Sequence, residues 1–462
     1  MASLTEAPPV VALSPTPARA AGLELLGEFH GSGSSQPPCL VRRADGQVVQ
    51  LSPLVYRVLE ALDGRRDAAE LAAAVSGRVG RELDADGIRF LVAKKLAPIG
   101  LVDVGATAPP PPRAAPLLAL QGRTPLLGPR GTGAVAVVAQ PLFRPPVVLA
   151  TVVALGVLDV WIFFVHGLGD GLRALVADPA IALLLFGVSI VAGLVHECGH
   201  AAACRYGGAR PGTIGMGLFL VWPTFYTDVT DSYRLGRAGR VRTDLGGIYF
   251  HALVVLALGG LYAVTGAEWL LLAIVLIHLE VLEQLLPLVR FDGYYILADL
   301  VGVPDLFARI GPVLKNAVQR SGPRDPRVVG LRPWVRVLVT AWVVVVVPVL
   351  AINISVLVWH LPRLVGAMAG SVRENGEVAA AAVTGGPVVE GVLAAVNGLL
   401  LVLVLCGIAY LLQGLARRVA AAALQWSAGR PRRRAGVVAA GVLLLVGLVV
   451  SWVVTGQFTA EL

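Results

Sequence analysis

The feature that most constrains this chain is a pair of histidines inside an apolar run. From Val191 to Cys204 the sequence reads VAGLVHECGHAAAC, which places His196, Glu197 and His200 among apolar residues. On a helix, residues four apart lie on one face, so the two imidazoles can converge on one metal ion. Burying such groups at membrane depth costs several kcal/mol unless they pair or hold a metal. The pattern therefore predicts a zinc site with Glu197 as general base, rather than two chance histidines on a core helix.

The composition indicates a membrane protein. Of the 462 residues, 56% are hydrophobic and 15% are charged, and the mean hydropathy of +0.75 is too high for a soluble protein of this size. Several apolar stretches approach the roughly 20 residues that a membrane helix needs; they lie near 147–167, 178–203, 244–265, 269–291, 335–358, 391–412 and 436–454. We predict a polytopic α-helical membrane protein of about seven transmembrane helices with a re-entrant hairpin, plus a small N-terminal winged-helix α+β domain. The four cysteines have no framework spacing, so no disulfide scaffold is expected.

The arginines predict the orientation of these helices. The loops after the second, fourth and sixth stretches are rich in arginine, whereas the opposite loops hold only Arg173, Arg363 and Arg373. Because basic residues stay on the cytoplasmic side, this asymmetry places the N terminus and the zinc site toward the cytoplasm and the C terminus outside. The chain is thus expected in the cell membrane, and its net charge of +8 reflects topology rather than a nucleic-acid partner.

We divide the chain into five segments. Residues 1–36, rich in Ala, Pro and Ser, are expected to be a disordered tail, and residues 38–105 a compact winged-helix domain. Residues 106–143 have the composition of a Pro- and Gly-rich linker. The segment 144–303 carries the zinc motif, and 304–462 holds the C-terminal transmembrane helices.

Turn and helix-start signals predict the small domain. A hairpin turns at Ala44–Gly46, helices begin at Ser52, Asp67 and Asp84, and the segment closes with Gly-Leu-Val. Through LSPLVYRVLEALDGRRDAAELAAAV and this closing GLV, the stretch resembles PqqD-like peptide-recognition domains. The resemblance implies that it binds an extended leader peptide by adding it as a strand to a sheet edge.

The alternatives for this domain are a DNA-binding winged helix or a folded spacer. Its third helix offers only Arg89, Lys94 and Lys95 as basic residues. That is few for binding in a DNA groove, so we expect a peptide partner and no nucleic acid.

A broken segment, GTIGMGLFLVWPTFYTDVTDSYRLGRAGR, follows the zinc helix. Its alternation and Pro223 predict a re-entrant hairpin beside the active site, where irregular backbone is tolerated only against protein or water. Asp228 and Asp231 are read as solvated loop acids rather than metal ligands.

The third ligand lies among the acids of the fourth stretch and the residues after it. Asp292, Glu280 and Glu283 can each supply an oxygen. Glu283 and Asp292 would be about 13 Å apart on a continuous helix, although Pro287 predicts a break between them. Depth in the membrane favours Asp292. His200 lies near the cytoplasmic end of the second stretch, and Asp292 lies at the cytoplasmic end of the fourth.

With HECGH and FDGYYILADL together, the segment from Pro145 to Val303 resembles the site-2 protease family of intramembrane zinc metallopeptidases, within it the bacterial peptide zinc metalloprotease group. The resemblance implies that His196, His200 and Asp292 bind one Zn²⁺ per chain and that Glu197 is the catalytic base.

The sequence departs from the pattern of this family at two positions that concern substrate binding. Leu286 stands where family members commonly have an asparagine before the proline, and the asparagine expected near His251 is also missing. We expect His251, Phe225 and Gly293 to contact the substrate.

The expected function is that of a zinc metalloendopeptidase cleaving a ribosomally made peptide or its leader near the cytoplasmic membrane face, in maturation, export or self-protection. The alternative is a non-proteolytic transporter or immunity protein, since His278, Glu280 and Glu283 also suit a proton path. A peptide-binding scaffold with structural zinc is a third reading, but such a site would need a fourth protein ligand.

Overall fold

The computed structural model describes residues 14–103, 120–167, 180–219, 222–319, 322–427 and 431–456. The start of the predicted tail, the last two residues of the predicted small domain (104 and 105) and residues 106–119 of the predicted linker, with its polyproline run, lie outside them.

The N-terminal domain is a three-stranded antiparallel sheet covered by three helices. The strands are β1 (Glu24–Glu28), β2 (Cys39–Arg42) and β3 (Val48–Leu51), in that order across the sheet. The helices are α1 (Pro53–Ala61), α2 (Ala68–Val79) and α3 (Ala85–Leu91). Their buried side chains, among them Leu59, Leu71 and Ile88, form one core with Val41 of the sheet.

Each of these helices begins at the predicted cap. The Ser52 hydroxyl oxygen accepts from the Val55 N–H, and Asp84 accepts from the Gly87 N–H. Asp67 and Glu70 form a reciprocal capping box. These caps satisfy main-chain donors that a helix start leaves free, which is why the sequence reveals them.

Two segments differ from their predicted irregular structure. The predicted tail includes β1, because Leu23 and Leu25 pack against the domain core. The predicted linker region includes strand β4 (Gln121–Leu127) and helix α4 (Pro129–Ala139). Both strands depend on partners distant in sequence, so their local composition does not indicate them.

Six of the described helices are long and apolar enough to cross a membrane. They are α5 (Pro145–Val160, continued by a π-helical turn to His166), α6 (Ala180–Tyr206), α8 (Gly246–Thr265), α13 (Pro333–Val383), α14 (Val388–Trp426) and α15 (Pro431–Val454). The membrane-protein prediction is confirmed, with six such helices instead of about seven. Two short helices, α11 (Phe307–Val318) and α12 (Pro326–Val329), precede α13.

The predicted span that does not form a helix of membrane length is the fourth, 269–291. Helix α9 (Trp269–Leu285) has 17 residues, about 26 Å at the rise of an α-helix and short of the roughly 30 Å of a hydrocarbon core. It ends because Leu286 is extended and Pro287 has no N–H to donate. The chain then turns into α10 (Asp292–Val301), which brings residue 292 back to the zinc helix.

The predicted hairpin after the zinc helix is present. Strands β5 (Ile214–Phe219) and β6 (Trp222–Thr227) pair in antiparallel register from Ile214–Thr227 to Phe219–Trp222. Strand β4 adds to the other edge of β5, so the hairpin belongs to a three-stranded sheet.

The loop between β1 and β2 joins the N-terminal domain to the membrane portion. The Gly33 N–H donates to the Gly302 carbonyl (2.9 Å), and the Gly33 carbonyl accepts from the Arg332 N–H (2.9 Å). The Ser35 N–H donates to the Gly330 carbonyl (2.8 Å). A Cβ at position 33 would lie 2.2 Å from a main-chain oxygen, so this approach requires glycine.

Arg240 lies at the centre of this junction. It belongs to α7 (Arg237–Asp244) and is completely buried. Its Nε donates to Asp299 Oδ1 (2.7 Å), its Nη1 donates to the His30 carbonyl (3.0 Å), and its guanidinium lies 4.3 Å from the Phe29 ring centre. One cation therefore holds α7, α10 and the N-terminal loop together.

Asp299 is also hydrogen-bonded to Asp244. Burial raises the pKa of each carboxyl group above its ordinary value, and it raises the pKa of Asp244 well above that value. The charge of Arg240, paired with Asp299, favours the ionised form of Asp299 and opposes the effect of burial.

We expect Arg240→Met to lower the free energy of unfolding by about 3 kcal/mol, because Asp299 is left buried without its cation. This is the lower end of the usual range, since burial already raises the pKa of Asp299 and favours its uncharged form. The measurement is the shift in apparent unfolding temperature in detergent. Arg237→Met is the control: it removes a hydrogen bond to the Gly31 carbonyl from the same helix and should cost about 1 kcal/mol or less. Equal shifts for both variants would contradict this role for Arg240.

Candidate metal centre

Three side chains predicted as ligands converge on one point. His196 Nε2 lies 3.0 Å from His200 Nε2 and 3.2 Å from Asp292 Oδ2, and His200 Nε2 lies 3.4 Å from Asp292 Oδ1. Zinc bonds of about 2.0–2.1 Å in a tetrahedron separate neighbouring ligand atoms by about 3.3 Å. The observed spacings fit that value, so these donors suit a zinc ion.

The zinc helix fixes the two histidines. They are four residues apart on α6 and nearly buried, with exposed fractions of 5% and 8%. The His200 Nδ1 donates to the main-chain carbonyl of Thr243 (2.8 Å). This hydrogen bond places the proton on Nδ1 and leaves the Nε2 lone pair for a metal.

Glycines let helix α8 approach the histidines closely. A Cβ at Gly247 would lie 2.3 Å from the His196 ring, and one at Gly199 would lie 2.2 Å from the Gly246 carbonyl oxygen. Helices α6 and α8 are therefore in close contact at Gly199, Gly246 and Gly247, and no larger residue fits there.

Asp292 reaches the histidines from the first residue of α10. The next residue, Gly293, is buried, and a Cβ there would lie 2.1 Å from the Leu285 carbonyl oxygen. This packing accounts for the glycine; its predicted contact with a substrate stays a prediction.

The other candidate acids lie elsewhere. Glu280 accepts a hydrogen bond from the Ser189 hydroxyl, and Glu283 is exposed. His278 Nε2 lies 3.2 Å from Asp159 Oδ1. Among the described residues, the metal-type cluster holds Asp292 and neither glutamate.

Glu197 lies beside the cluster, 8% exposed. Its Oε2 accepts a hydrogen bond from the Thr227 hydroxyl (2.7 Å), which also lies 2.9 Å from the Glu197 carbonyl oxygen. Strand β6 thus runs along the zinc helix, next to the His196, His200 and Asp292 cluster.

The other predicted substrate contacts also line this region. The His251 side chain is 1% exposed, and its ring centre lies 4.6 Å from that of His196. Phe225 packs over Gly193, one helical turn before Glu197. Their roles toward a substrate stay predictions.

The two loop aspartates differ from each other. Asp228 is exposed, as predicted, but Asp231 is buried. Burial alone would raise the pKa of Asp231, but hydrogen bonds from the Arg210 N–H, Arg42 and Arg234 hold that pKa below its ordinary value. Asp231 is therefore an anchoring carboxylate rather than a solvated one.

Sequence reasoning missed Thr227 and Thr243. Thr243 acts through its main-chain oxygen, which no side-chain pattern reveals. For Thr227 the available signal was strand alternation, which places it on the same face of β6 as Phe225.

We expect Asp292→Ala to lose bound zinc, because two imidazoles alone do not complete the donor set. Glu283→Ala, which removes an exposed carboxylate outside the cluster, should keep one zinc per chain. Metal analysis of the purified proteins provides the measurement. Full zinc occupancy in Asp292→Ala would overturn the assignment.

Comparison with known proteins finds a similarity over part of the chain. The chain is similar to the protein named "Putative peptide zinc metalloprotease protein YydH" of Bacillus subtilis (strain 168), with 30% identity over 127 residues. The aligned stretch is 27% of this chain and 49% of that protein, so the chain spans about half the length of this relative. No family model matches the chain, and no solved structure matches it.

Proposed function

We propose that the protein is an intramembrane zinc metalloendopeptidase of the site-2 protease type. The observation that carries this proposal is the convergence of His196, His200 and Asp292 beside Glu197, among helices apolar enough for a membrane. The similarity to a protein named as a peptide zinc metalloprotease supports the same chemistry.

The donor set suits a catalytic rather than a closed structural site. Two imidazoles and one carboxylate supply three ligands, and structural zinc usually takes four. When bound, zinc would polarise the scissile carbonyl and make water acidic enough to deprotonate near neutral pH.

Glu197 is the group that moves the proton. Its carboxylate accepts a proton from the attacking water, and the resulting carboxylic acid passes that proton to the leaving amine. The near-complete burial of Glu197 excludes bulk water, which strengthens these electrostatic effects.

We propose cleavage near the cytoplasmic face because the arginine-rich loops of the sequence favour that side for the N-terminal domain and the zinc helix end. We propose that the substrate is a ribosomally made peptide or its leader, processed in maturation, export or self-protection. Because His278 and Glu280 contact side chains of neighbouring helices, helix packing accounts for them, and we do not propose transport.

The N-terminal domain is proposed to capture the peptide at a sheet edge. Strand β2 is covered on both sides, by β1 and by β3, so it cannot take another strand. Within the described residues β3 pairs only with β2, which leaves its outer edge for an extended peptide.

Replacing Glu197 with Gln should lower the cleavage rate by roughly 10²- to 10⁴-fold, the usual contribution of general acid–base catalysis. Zinc content should not change, because Glu197 is outside the ligand cluster. The measurement compares peptide mass spectra from cells carrying each form, with candidate precursors from neighbouring small reading frames. Glu283→Gln serves as the matched control. Unchanged cleavage by Glu197→Gln would rule out the proposed mechanism.

The full-length protein in detergent should bind a fluorescent precursor peptide through its backbone. N-methylation of alternate amides should weaken binding at least tenfold, because it removes strand-pairing donors while keeping every side chain. Fluorescence anisotropy gives the affinities. Binding of duplex DNA without peptide binding would contradict the assignment of this domain.

A further inference from the structure

The general base is held by one hydroxyl group. Thr227 Oγ1 lies 2.7 Å from Glu197 Oε2 and 2.9 Å from the Glu197 main-chain oxygen. A hydroxyl has a single hydrogen, so it can donate to either oxygen, and both belong to the same residue.

The main chain of Thr227 is fixed from both sides. Thr227 pairs with Ile214, which is fully buried against Ala201 of the zinc helix. Beyond it, the Gly212 N–H donates to the Asp228 carbonyl (2.7 Å) and the Asp228 N–H donates to the Thr213 carbonyl (2.8 Å). The hydroxyl is thus held on a rigid frame.

The distance between alternate residues of strand β6 also matches the distance between residues four apart on helix α6. Two residues of a strand advance about 6.6–6.8 Å, and four residues of a helix advance about 6.0 Å. Phe225 therefore lies over Gly193 while Thr227 lies over Glu197. A Cβ at position 193 would lie 3.3 Å from the ring, a tight contact, so the glycine helps the ring to pack closely on the helix.

We propose that Thr227 is the positioning residue of the peptidase reaction, holding the Glu197 carboxylate by Oε2 so that Oε1 exchanges the proton. This inference rests on the proposed function. When Glu197 has taken up the proton, the hydroxyl still has the Glu197 main-chain oxygen as acceptor. No buried donor is then left unsatisfied during the reaction, which would otherwise cost free energy.

The test compares Thr227→Val with Thr227→Ser in detergent, on the synthetic precursor peptide that the wild-type protein cleaves in the mass-spectrometry comparison above. Valine keeps the branched shape of threonine and removes the hydroxyl, whereas serine keeps the hydroxyl and removes the methyl group. We expect Thr227→Val to lower kcat by about 10- to 100-fold, the usual effect of losing a hydrogen bond to a charged group. KM, zinc content and apparent unfolding temperature should stay at wild-type values. Thr227→Ser should keep kcat within about threefold.

A structural role alone gives a different result. If Thr227→Ser and Thr227→Val lower kcat equally, or if KM rises while kcat is unchanged, the positioning role is wrong. If Thr227→Val does not fold, Thr227→Ala replaces it, and wild-type kcat in Thr227→Ala would equally overturn the role.

Failure of this inference is distinguishable from failure of the proposed function. If Glu197→Gln is inactive but Thr227→Val has wild-type kcat, only the role of Thr227 is wrong. If Glu197→Gln cleaves normally, the peptidase mechanism itself fails.

Discussion

The membrane portion depends on satisfying the polar groups buried around His196 and His200. Two imidazoles and two carboxylates at that depth are stable only if each meets a partner or a metal. The structure brings these partners from four elements: α6 carries the histidines and Glu197, α10 carries Asp292, β6 carries Thr227, and the end of α7 supplies the Thr243 carbonyl. The short α9 and the glycine contacts of α8 follow from this requirement, because they bring Asp292 and α8 to the histidines.

Local patterns predicted much of this arrangement. Three features could be predicted because each is encoded by residues close together in the sequence. They are the four-residue spacing of His196 and His200, the helix caps at Ser52 and Asp67, and the lengths of the apolar stretches. The break at Pro287 belongs to the same class, since proline ends a helix by its own chemistry. Because of this break, the fourth predicted span is too short to count as a membrane helix by length.

Long-range contacts explain what the sequence did not show. β1 and β4 are strands only because partners distant in sequence pair with them. Asp231 has no nearby cue for burial: one of its guanidinium partners, Arg42, is 189 residues away. Its loop composition therefore suggested solvent, whereas three hydrogen-bond donors hold it in the folded protein. The Thr243 carbonyl is hidden for another reason, since main-chain oxygens have no sequence signature.

The same hairpin that holds Glu197 is joined to the N-terminal sheet. Thr227, which contacts Glu197, is four positions from Asp231, which accepts from Arg42 of β2. Glu24 of β1 also pairs with Arg42 and Arg234, so two strands of the sheet share this junction. The peptide edge proposed on β3 belongs to that sheet. The proposed peptide edge and Glu197, the proposed proton-transfer group, are thus connected through a short, hydrogen-bonded segment, so the N-terminal domain packs into the frame around the His196, His200 and Asp292 cluster.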